Sequence, residues 1–475
     1  MAVEYDIVVI GGGSGGLVVA SAAAQLKAKV ALVEKDRLGG ECLWSGCVPS
    51  KALIHASRTA YEVKNASRFG IYAHSTDIHF AEVMAHVNRA IAAIQPHDSP
   101  ERFQELGVEV IFGSGEFIDA QTFRVNNRDL TARAFVIATG SHPAIPPIPG
   151  LTETDYLTNE NLFTLRDRVQ SLAIIGSGPI GCEIGQAFHR LGSAVTIFSS
   201  GPQILAKEDP DAAAVIEEQF LSEGIEILKN ARVEKVEVAE GKKRLWFGSE
   251  WVEADQILVA TGRSPNVERL NLAAAGVSFN EKGIKVNAKL QTTNPKIYAC
   301  GDVIGGYQFT HVAGQEAVTV LKNALFFPTS KVNYQVIPWA TFTDPELARV
   351  GMTEKQARSR YGDDIYVLKQ PFSGSDRAQA EGSTQGFAKL IVRPNGEILG
   401  AHLVGRSAGE LIAEIVLAMS HRLKVSALTG IHIYPTLTEV NGQAALLFQK
   451  QKFAENPWQK ALLAKFFHWR RSWKR

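Results

Sequence analysis

Tyr5-Asp6-Ile7-Val8-Val9-Ile10-Gly11-Gly12-Gly13-Ser14-Gly15-Gly16 is the stretch on which the fold turns. Ile7 to Ile10 is a continuous apolar run of strand length, and Gly11, Gly13 and Gly16 follow it without a gap. An Ala/Val-rich helical pattern then runs from Leu17 to Leu26, and a second apolar run, Val30-Ala31-Leu32-Val33, ends at Glu34. Each part has a physical job. Gly11 permits a tight turn, Gly13 lets a pyrophosphate approach the backbone, Gly16 packs helix on strand, and Glu34 can hold a ribose diol. Strand, glycines, helix and closing acid together specify a dinucleotide-binding unit far better than the glycines alone.

The pattern recurs. Leu172-Ala173-Ile174-Ile175 leads into Gly176, Gly178 and Gly181, a helix through Leu191, and a strand Val195-Thr196-Ile197-Phe198. Glu34 lies 23 residues after Gly11, and the same offset from Gly176 falls on Ser199. A carboxylate there would repel a 2′-phosphate, whereas a serine hydroxyl can donate to one. The second unit therefore leans to NADPH over NADH, although no arginine follows at once and Lys207 is no more than a candidate substitute. Two intact units suggest two dinucleotides, usually FAD paired with NAD(P)H.

The chain has 475 residues, too many for one hydrophobic core, which predicts roughly three or four domains. Hydrophobic residues make up 45%, and 41 Gly with 19 Pro sit near their average share, which excludes disorder and low complexity. No apolar run reaches the ~18 residues of a membrane span. A strand starting at Tyr5 leaves no room for a signal peptide. Four cysteines are too few for a secreted disulfide framework at this length. The expectation is a soluble, multidomain, cytoplasmic protein.

Fifty Lys and Arg against 49 Asp and Glu give a net charge of +1, which suggests no special partner and no nucleic acid. The total hides an asymmetry. Residues 450–475 carry eight basic residues and one acid, leaving 42 basic and 48 acidic residues for the rest. Residues 458–475 read as an amphipathic helix, with Trp458, Leu462, Phe466, Trp469 and Trp473 on one face and Lys460, Arg470, Arg471 and Lys474 off it. Tryptophans beside Lys and Arg suit an interfacial membrane helix. The alternative is a helix packed on its own dimer.

Gly39-Gly40-Glu41-Cys42-Leu43-Trp44-Ser45-Gly46-Cys47-Val48-Pro49-Ser50-Lys51 follows the first unit. Two cysteines five apart, entering a helix patterned by Leu53, Ile54 and Ala56, would lie near that helix's positive end, which favours thiolate. The spacing is not a zinc pattern, and nothing nearby completes four ligands. A redox disulfide beside a flavin makes sense of it; a buried, inert pair is the bland alternative.

This segment resembles the redox-active motif of the class I pyridine nucleotide-disulfide oxidoreductases, the family of dihydrolipoamide dehydrogenase, glutathione reductase and mercuric reductase. The likeness extends to about residue 450. It includes Ala138-Thr139-Gly140 and Ala260-Thr261-Gly262-Arg263-Ser264-Pro265-Asn266, which close the nucleotide domains. Thr292-Thr293-Asn294-Pro295-Lys296-Ile297-Tyr298-Ala299-Cys300-Gly301-Asp302 resembles the second FAD motif, and Ile337-Pro338-Trp339-Ala340-Thr341-Phe342-Thr343-Asp344-Pro345-Glu346 the start of a dimerisation domain. The resemblance implies an α/β fold with two Rossmann-like dinucleotide-binding domains and a C-terminal α+β dimerisation domain, in a homodimer. The segments would be 1–150 (FAD, with the cysteines), 151–275 (NAD(P)H), 276–335 (FAD, second part), 336–449 (dimerisation) and 450–475 (basic tail). It implies that Cys47 is the flavin-side thiol and Cys42 the interchange thiol. Lys51 would lie beside the flavin, Glu183 would pair with Lys51, and Asp302 would bond the flavin's ribityl chain. Cys182 and Cys300 are read as structural.

The pattern then breaks. Disulfide-reducing members carry His-x-His-Pro-Thr-x-x-Glu, whose second histidine is the acid/base and whose glutamate orients it. Here the segment is His432-Ile433-Tyr434-Pro435-Thr436-Leu437-Thr438-Glu439, with Tyr434 at the catalytic position and Glu439 retained. A phenol titrates near ~10 against ~6.5 for imidazole, so Tyr434 is a poor proton shuttle at neutral pH. His432, two residues away on an extended segment, would point to the same side. Mercuric reductases also lack this histidine, because Hg(II) is soft, binds thiolates and leaves no thiol to protonate. Two features oppose that reading: no cysteine follows Cys300, and no N-terminal CxxC domain is present. Glu41 also stands where many members have threonine, beside Trp44; a carboxylate near Cys42 would raise its pKa, but solvent exposure or helix capping is the favoured placement.

The expectation is thus a flavoprotein passing electrons from NADPH, with NADH also usable, through FAD and Cys42/Cys47 to Hg(II) or a related metal ion held by those thiolates, with no structural metal. A disulfide reductase or dihydrolipoamide dehydrogenase is the alternative. A non-catalytic FAD-binding redox sensor is a third reading, which the full set of Cys42, Cys47, Lys51 and Glu183 argues against. The tail adds contact either with a membrane surface or with its own dimer.

Overall fold

Ile7, Val8 and Val9 are fully buried, as a β-branched run covered on both faces must be, and they place β1 (Tyr5–Ile10) inside a parallel sheet. Each such side chain contributes roughly 1.5–3 kcal/mol. In the computed structural model, which describes residues 3–73 and 77–473, β1 turns through Gly11 into α1 (Ser14–Gln25) and returns as β2 (Val30–Glu34). A β-carbon on Gly16 would stand 1.9 Å from the Gly11 carbonyl oxygen, so only glycine lets the helix lie this close to the strand. α2 (Gly40–Trp44) and α3 (Cys47–Lys64) follow. β3 (Val108–Phe112) extends the sheet beyond β2. β4 (Gly115–Asp119) and β5 (Thr122–Val125) then lead antiparallel into β6 (Arg128–Ile137), which pairs with β1 in parallel.

The second glycine unit repeats this construction. β7 (Ser171–Ile175), α4 (Pro179–Arg190) and β8 (Ala194–Phe198) follow one another, and β9 (Glu226–Leu228) and β10 (Gln256–Val259) complete a four-stranded, all-parallel sheet. A β-carbon on Gly181 would meet the Gly176 carbonyl oxygen at 2.0 Å, the counterpart of Gly16 over Gly11. The chain then returns to the first sheet. β11 (Ile297–Ala299) pairs with Phe135 to Ile137 of β6, and α5 (Thr310–Leu325) packs Ala317, Val320 and Leu321 into the core that holds Leu17, Val19 and Ala20 of α1. Both sheets belong to one compact unit, residues 1–202 and 225–333.

The other unit comprises residues 203–224 and 334–475, so the helix Pro210–Glu223, which the sequence reading put with the second nucleotide unit, groups here. Its sheet is antiparallel, in the order β12 (Pro338–Thr341), β13 (Glu346–Gly351), β16 (Ile398–Gly405), β15 (Phe387–Val392), β14 (Tyr366–Pro371). α6 (Glu439–Ala454) inserts Val440, Ala444, Ala445 and Phe448 into the core with Leu390 and Leu403. This is the α+β arrangement expected at the C-terminus. The unit also buries charge: Lys389, 2% exposed, holds Asp209 at 2.8 Å and Asp211 at 2.6 Å. α7 (Pro457–Ser472) starts at Asn456, whose side chain accepts from the Gln459 N–H. Among the described residues no helix is long and apolar enough to cross a membrane.

Candidate active site

Cys42 sits in the one-turn helix α2, and Cys47 is the first residue of α3. The intervening bend is tight, since a β-carbon on Gly46 would come within 2.9 Å of the Glu41 carbonyl oxygen. Both cysteines are free thiols, and Cys42 donates to Cys47. That hydrogen bond lowers Cys47 to about 6, with burial opposing and the Thr310 hydroxyl and Lys51 helping. Cys42, the donor, is driven up by the same bond and by burial. One proton is thus held on Cys42 and a thiolate on Cys47. Thr310, whose Oγ1 is 3.4 Å from Cys47 Sγ, opens α5, so two helix N-termini meet at this sulfur. The sequence reading found the first and missed the second.

Lys51, one turn into α3, reaches Glu183 of α4, with Nζ 2.9 Å from Oε2. Glu183 is buried and Lys51 is partly exposed. Cys182 and Cys300 are fully buried, which pushes both thiols far up and leaves them unreactive.

Glu41 is not solvated and does not cap its helix, contrary to expectation. Its carboxylate makes paired hydrogen bonds with Arg263, one of them at 2.6 Å, and accepts from Asn159. Burial raises this carboxyl, and the Arg263 guanidinium opposes the rise. Arg263 also donates to Ser141 Oγ at 2.8 Å and lies 3.4 Å from Asp302, which accepts from Ser141 at 2.5 Å. Glu41 and Asp302 are therefore linked through Arg263 and Ser141. Trp44 donates to the Leu38 carbonyl and lies under Arg37, which fixes the loop from its other side.

The residues present fit both dinucleotides. Gly13 precedes α1 as its N-cap and offers no side-chain cap, and a β-carbon there would meet nothing nearer than Gly40 Cα at 3.9 Å. Open amides at an uncapped helix start are what a pyrophosphate needs. Glu34 is held beside that turn by the Gly12 and Asp36 N–H groups, at 2.6 and 2.9 Å. Thr139 donates to the Asn266 carbonyl, and the Asn266 N–H donates to Gly140, joining the two closing motifs. α4 likewise begins uncapped at Gly178, with nothing within 4 Å of an added β-carbon; Gly262 is equally open. Ser199 differs from expectation. It is buried, accepts from Ser177 at 2.9 Å and donates to the Gly201 carbonyl, so its hydroxyl is not presented to a 2′-phosphate.

In the C-terminal unit, Tyr434 is 68% exposed and donates to Asp376 at 2.8 Å, which raises its pKa further. Glu439 does not hydrogen-bond Tyr434; it accepts from the Thr436 N–H at 3.1 Å. His432 finds other partners than Tyr434 and is far less exposed. Its Nε2 lies 3.1 Å from Glu414 and its Nδ1 3.0 Å from the Gly430 carbonyl, with Gly442 of α6 packed on the ring. Both ring nitrogens are engaged, so His432 does not replace the missing histidine within its own chain. No motif or spacing signals Asp376 or Glu414.

A family described as pyridine nucleotide-disulphide oxidoreductase matches residues 5–317, and its dimerisation domain matches residues 337–445. The chain belongs to this family. Mercuric reductase of Staphylococcus aureus is 37% identical over 454 residues, covering 94% of this chain and 83% of that protein. Dihydrolipoyl dehydrogenase of Geobacillus stearothermophilus is 36% identical over 461 residues, covering 94% and 96%. The solved Cu(II) complex of the HOCl-induced flavoprotein disulfide reductase RclA from Escherichia coli superposes with a TM-score of 0.84 at 30% identity, covering 94% of this chain and all of that one. Pyridine nucleotide-disulphide oxidoreductases bind FAD, use NAD(P)H, and carry this dimerisation domain in homodimers.

Proposed function

We propose that this oxidoreductase passes electrons from NADPH, through FAD and the Cys42/Cys47 pair, to Hg(II) or a related soft metal ion. The observation that supports this acceptor is Tyr434. A proton donor for a departing thiolate should titrate near neutrality, and this phenol is moved the other way by Asp376. Metal reduction asks for no such donor: NADPH and Hg(II) give NADP+, Hg(0) and one proton. Disulfide reduction consumes a proton instead. The mercuric reductase relatives favour the same reading, and the Cu(II) complex of RclA favours metal ions as a class.

In this reading Cys47 and Cys42 offer two sulfurs to a two-coordinate soft ion, and Cys47 is already a thiolate at neutral pH. Binding then displaces only the Cys42 proton. Thr310 orients and stabilises the Cys47 sulfur, while Lys51, fixed by Glu183, adds positive charge beside it. Gly11, Gly13, Gly16, Glu34, Thr139, Gly140 and Asp302 would hold FAD, and Gly176, Gly178, Gly181 and Gly262 the nicotinamide nucleotide. FAD, when bound, would supply the two-electron relay between the nicotinamide and the cysteine pair, reducing their disulfide when they are oxidised and the metal ion they hold when they are already thiolates. NADPH is proposed over NADH because the second unit lacks a ribose-binding carboxylate at Ser199, not because Ser199 donates. A kcat/KM for NADH equal to that for NADPH would remove this preference.

The test is anaerobic NADPH oxidation with Hg(II) in excess thiol, against lipoamide and glutathione disulfide. Turnover confined to Hg(II) is expected. Faster turnover on either disulfide would replace the proposal with a disulfide reductase. Negligible turnover on all three would favour a redox sensor.

A further inference from the structure

We infer that α7 seats this enzyme on anionic phospholipid, lying in the plane of the membrane surface. The inference is independent of the electron acceptor. The family's dimerisation domain ends its match at residue 445, and α7 starts at Pro457 beyond it. Trp458, Leu462, Phe466, Trp469 and Trp473 form one stripe along this stretch, and all are exposed, from 45% at Phe466 to 80% at Trp458. Leu463, off the stripe, is the one residue of α7 that is partly covered. The stripe is ordered as a ridge, with Trp469 and Trp473 rings 5.0 Å apart and Phe466 6.2 Å from Trp469. Leaving so much contiguous apolar surface in water is costly unless something covers it.

Charge identifies the cover. α7 contains no acid; Lys465 and Arg470 border the stripe on opposite sides, with Lys460 and Arg471 behind them. Two copies of so uniformly cationic a helix, paired about a two-fold axis, would repel. An anionic lipid surface instead complements every charge, and long Lys and Arg side chains reach headgroups while the stripe sinks below them. Three of the chain's seven tryptophans fall in residues 458–473, and tryptophan is the side chain that favours the boundary between water and acyl chains. Sixteen residues make a rod of about 24 Å, too short and too charged to span. Lys474 lies outside the described residues.

The experiment is co-sedimentation of the full-length, FAD-loaded protein with vesicles of about one-third phosphatidylglycerol in phosphatidylcholine, against phosphatidylcholine alone. Binding to the anionic vesicles at low salt is expected, with release at high salt. The double substitution Trp469→Ser/Trp473→Ser should weaken binding at least about tenfold, and Arg470→Glu/Arg471→Glu should weaken binding to the anionic vesicles and reduce its salt dependence. Turnover, flavin content and native mass should stay at parental values in both. No sedimentation at low salt, or equal binding to both vesicle types, overturns the inference. So does conversion of dimer to monomer by the tryptophan substitutions, because a second copy then covers the stripe. Salt release of the unaltered protein needs no variant and stands even if a substitution disturbs folding. Failure of Hg(II) turnover would leave this result untouched.

Discussion

Replacing Thr310 with valine removes a hydroxyl 3.4 Å from Cys47 Sγ while keeping its shape, which makes it a direct probe of how the thiolate is held. Cys47 is lowered from 9 to about 6, so its thiolate persists above about 6 and is lost as pH falls through that value. At pH 7 the thiolate is then the main form. A hydrogen bond to a charged group contributes about 1.5 kcal/mol at the weak end, suited to a long contact to sulfur, and that equals about one pH unit. In Thr310→Val the thiolate should therefore be lost through about pH 7, leaving about half at that pH. The assay is an anaerobic pH titration of the dithionite-reduced enzyme, read by ultraviolet thiolate absorbance. Thr310→Ser should restore the parental midpoint. A Thr310→Val midpoint that does not move would refute the reasoning and leave Cys42, Lys51 and the two helix termini to hold the charge.

Three further substitutions separate the other claims. Tyr434→His should raise kcat for lipoamide or glutathione disulfide by about tenfold or more, out of the ~10² to 10⁴ that acid–base catalysis supplies, without raising turnover on Hg(II); equal gains on both acceptors would contradict the protonation argument. Glu41→Gln should leave the thiolate titration unmoved, because Arg263 already neutralises the carboxylate; a lower Cys42 midpoint would mean that the charge reaches the sulfur. Lys389→Met should cost about 3–5 kcal/mol in urea unfolding, since it strands the buried Asp209 without its cation, while Asp211 keeps Lys369 at 2.8 Å. A loss below about 1 kcal/mol would show that Asp209 finds another partner.

The nucleotide units and the cysteine pair were readable because their geometry is local. Gly16 must be glycine on account of a carbonyl five residues earlier, and Gly181 likewise, so spacing along the chain carries the three-dimensional constraint. Cys47 at a helix start is legible for the same reason. Side-chain partners are another matter. Glu41 finds Arg263 at a separation of 222 residues, Cys47 finds Thr310 at 263, and Tyr434 finds Asp376 at 58. Such pairs are set by how distant elements pack, and no periodicity reports them. Ser199 shows the converse hazard. The alignment of the two units located the position correctly, yet burial against Ser177 and Gly201 changed what its hydroxyl can do.

The late return of β11 to β6 fixes an order of assembly. About 160 residues separate the end of β6 from the strand that completes its sheet. As the polypeptide leaves the ribosome, every strand of the four-stranded sheet, residues 171–259, is available before β11 has been made. The guest can close while its host still shows an unpaired edge along Phe135, Val136 and Ile137. Such an edge is a template for the wrong partner. A chain released early, after the guest but before residue 297, would hold one finished sheet and one open seam, and it is the seam that would draw chaperones or aggregate.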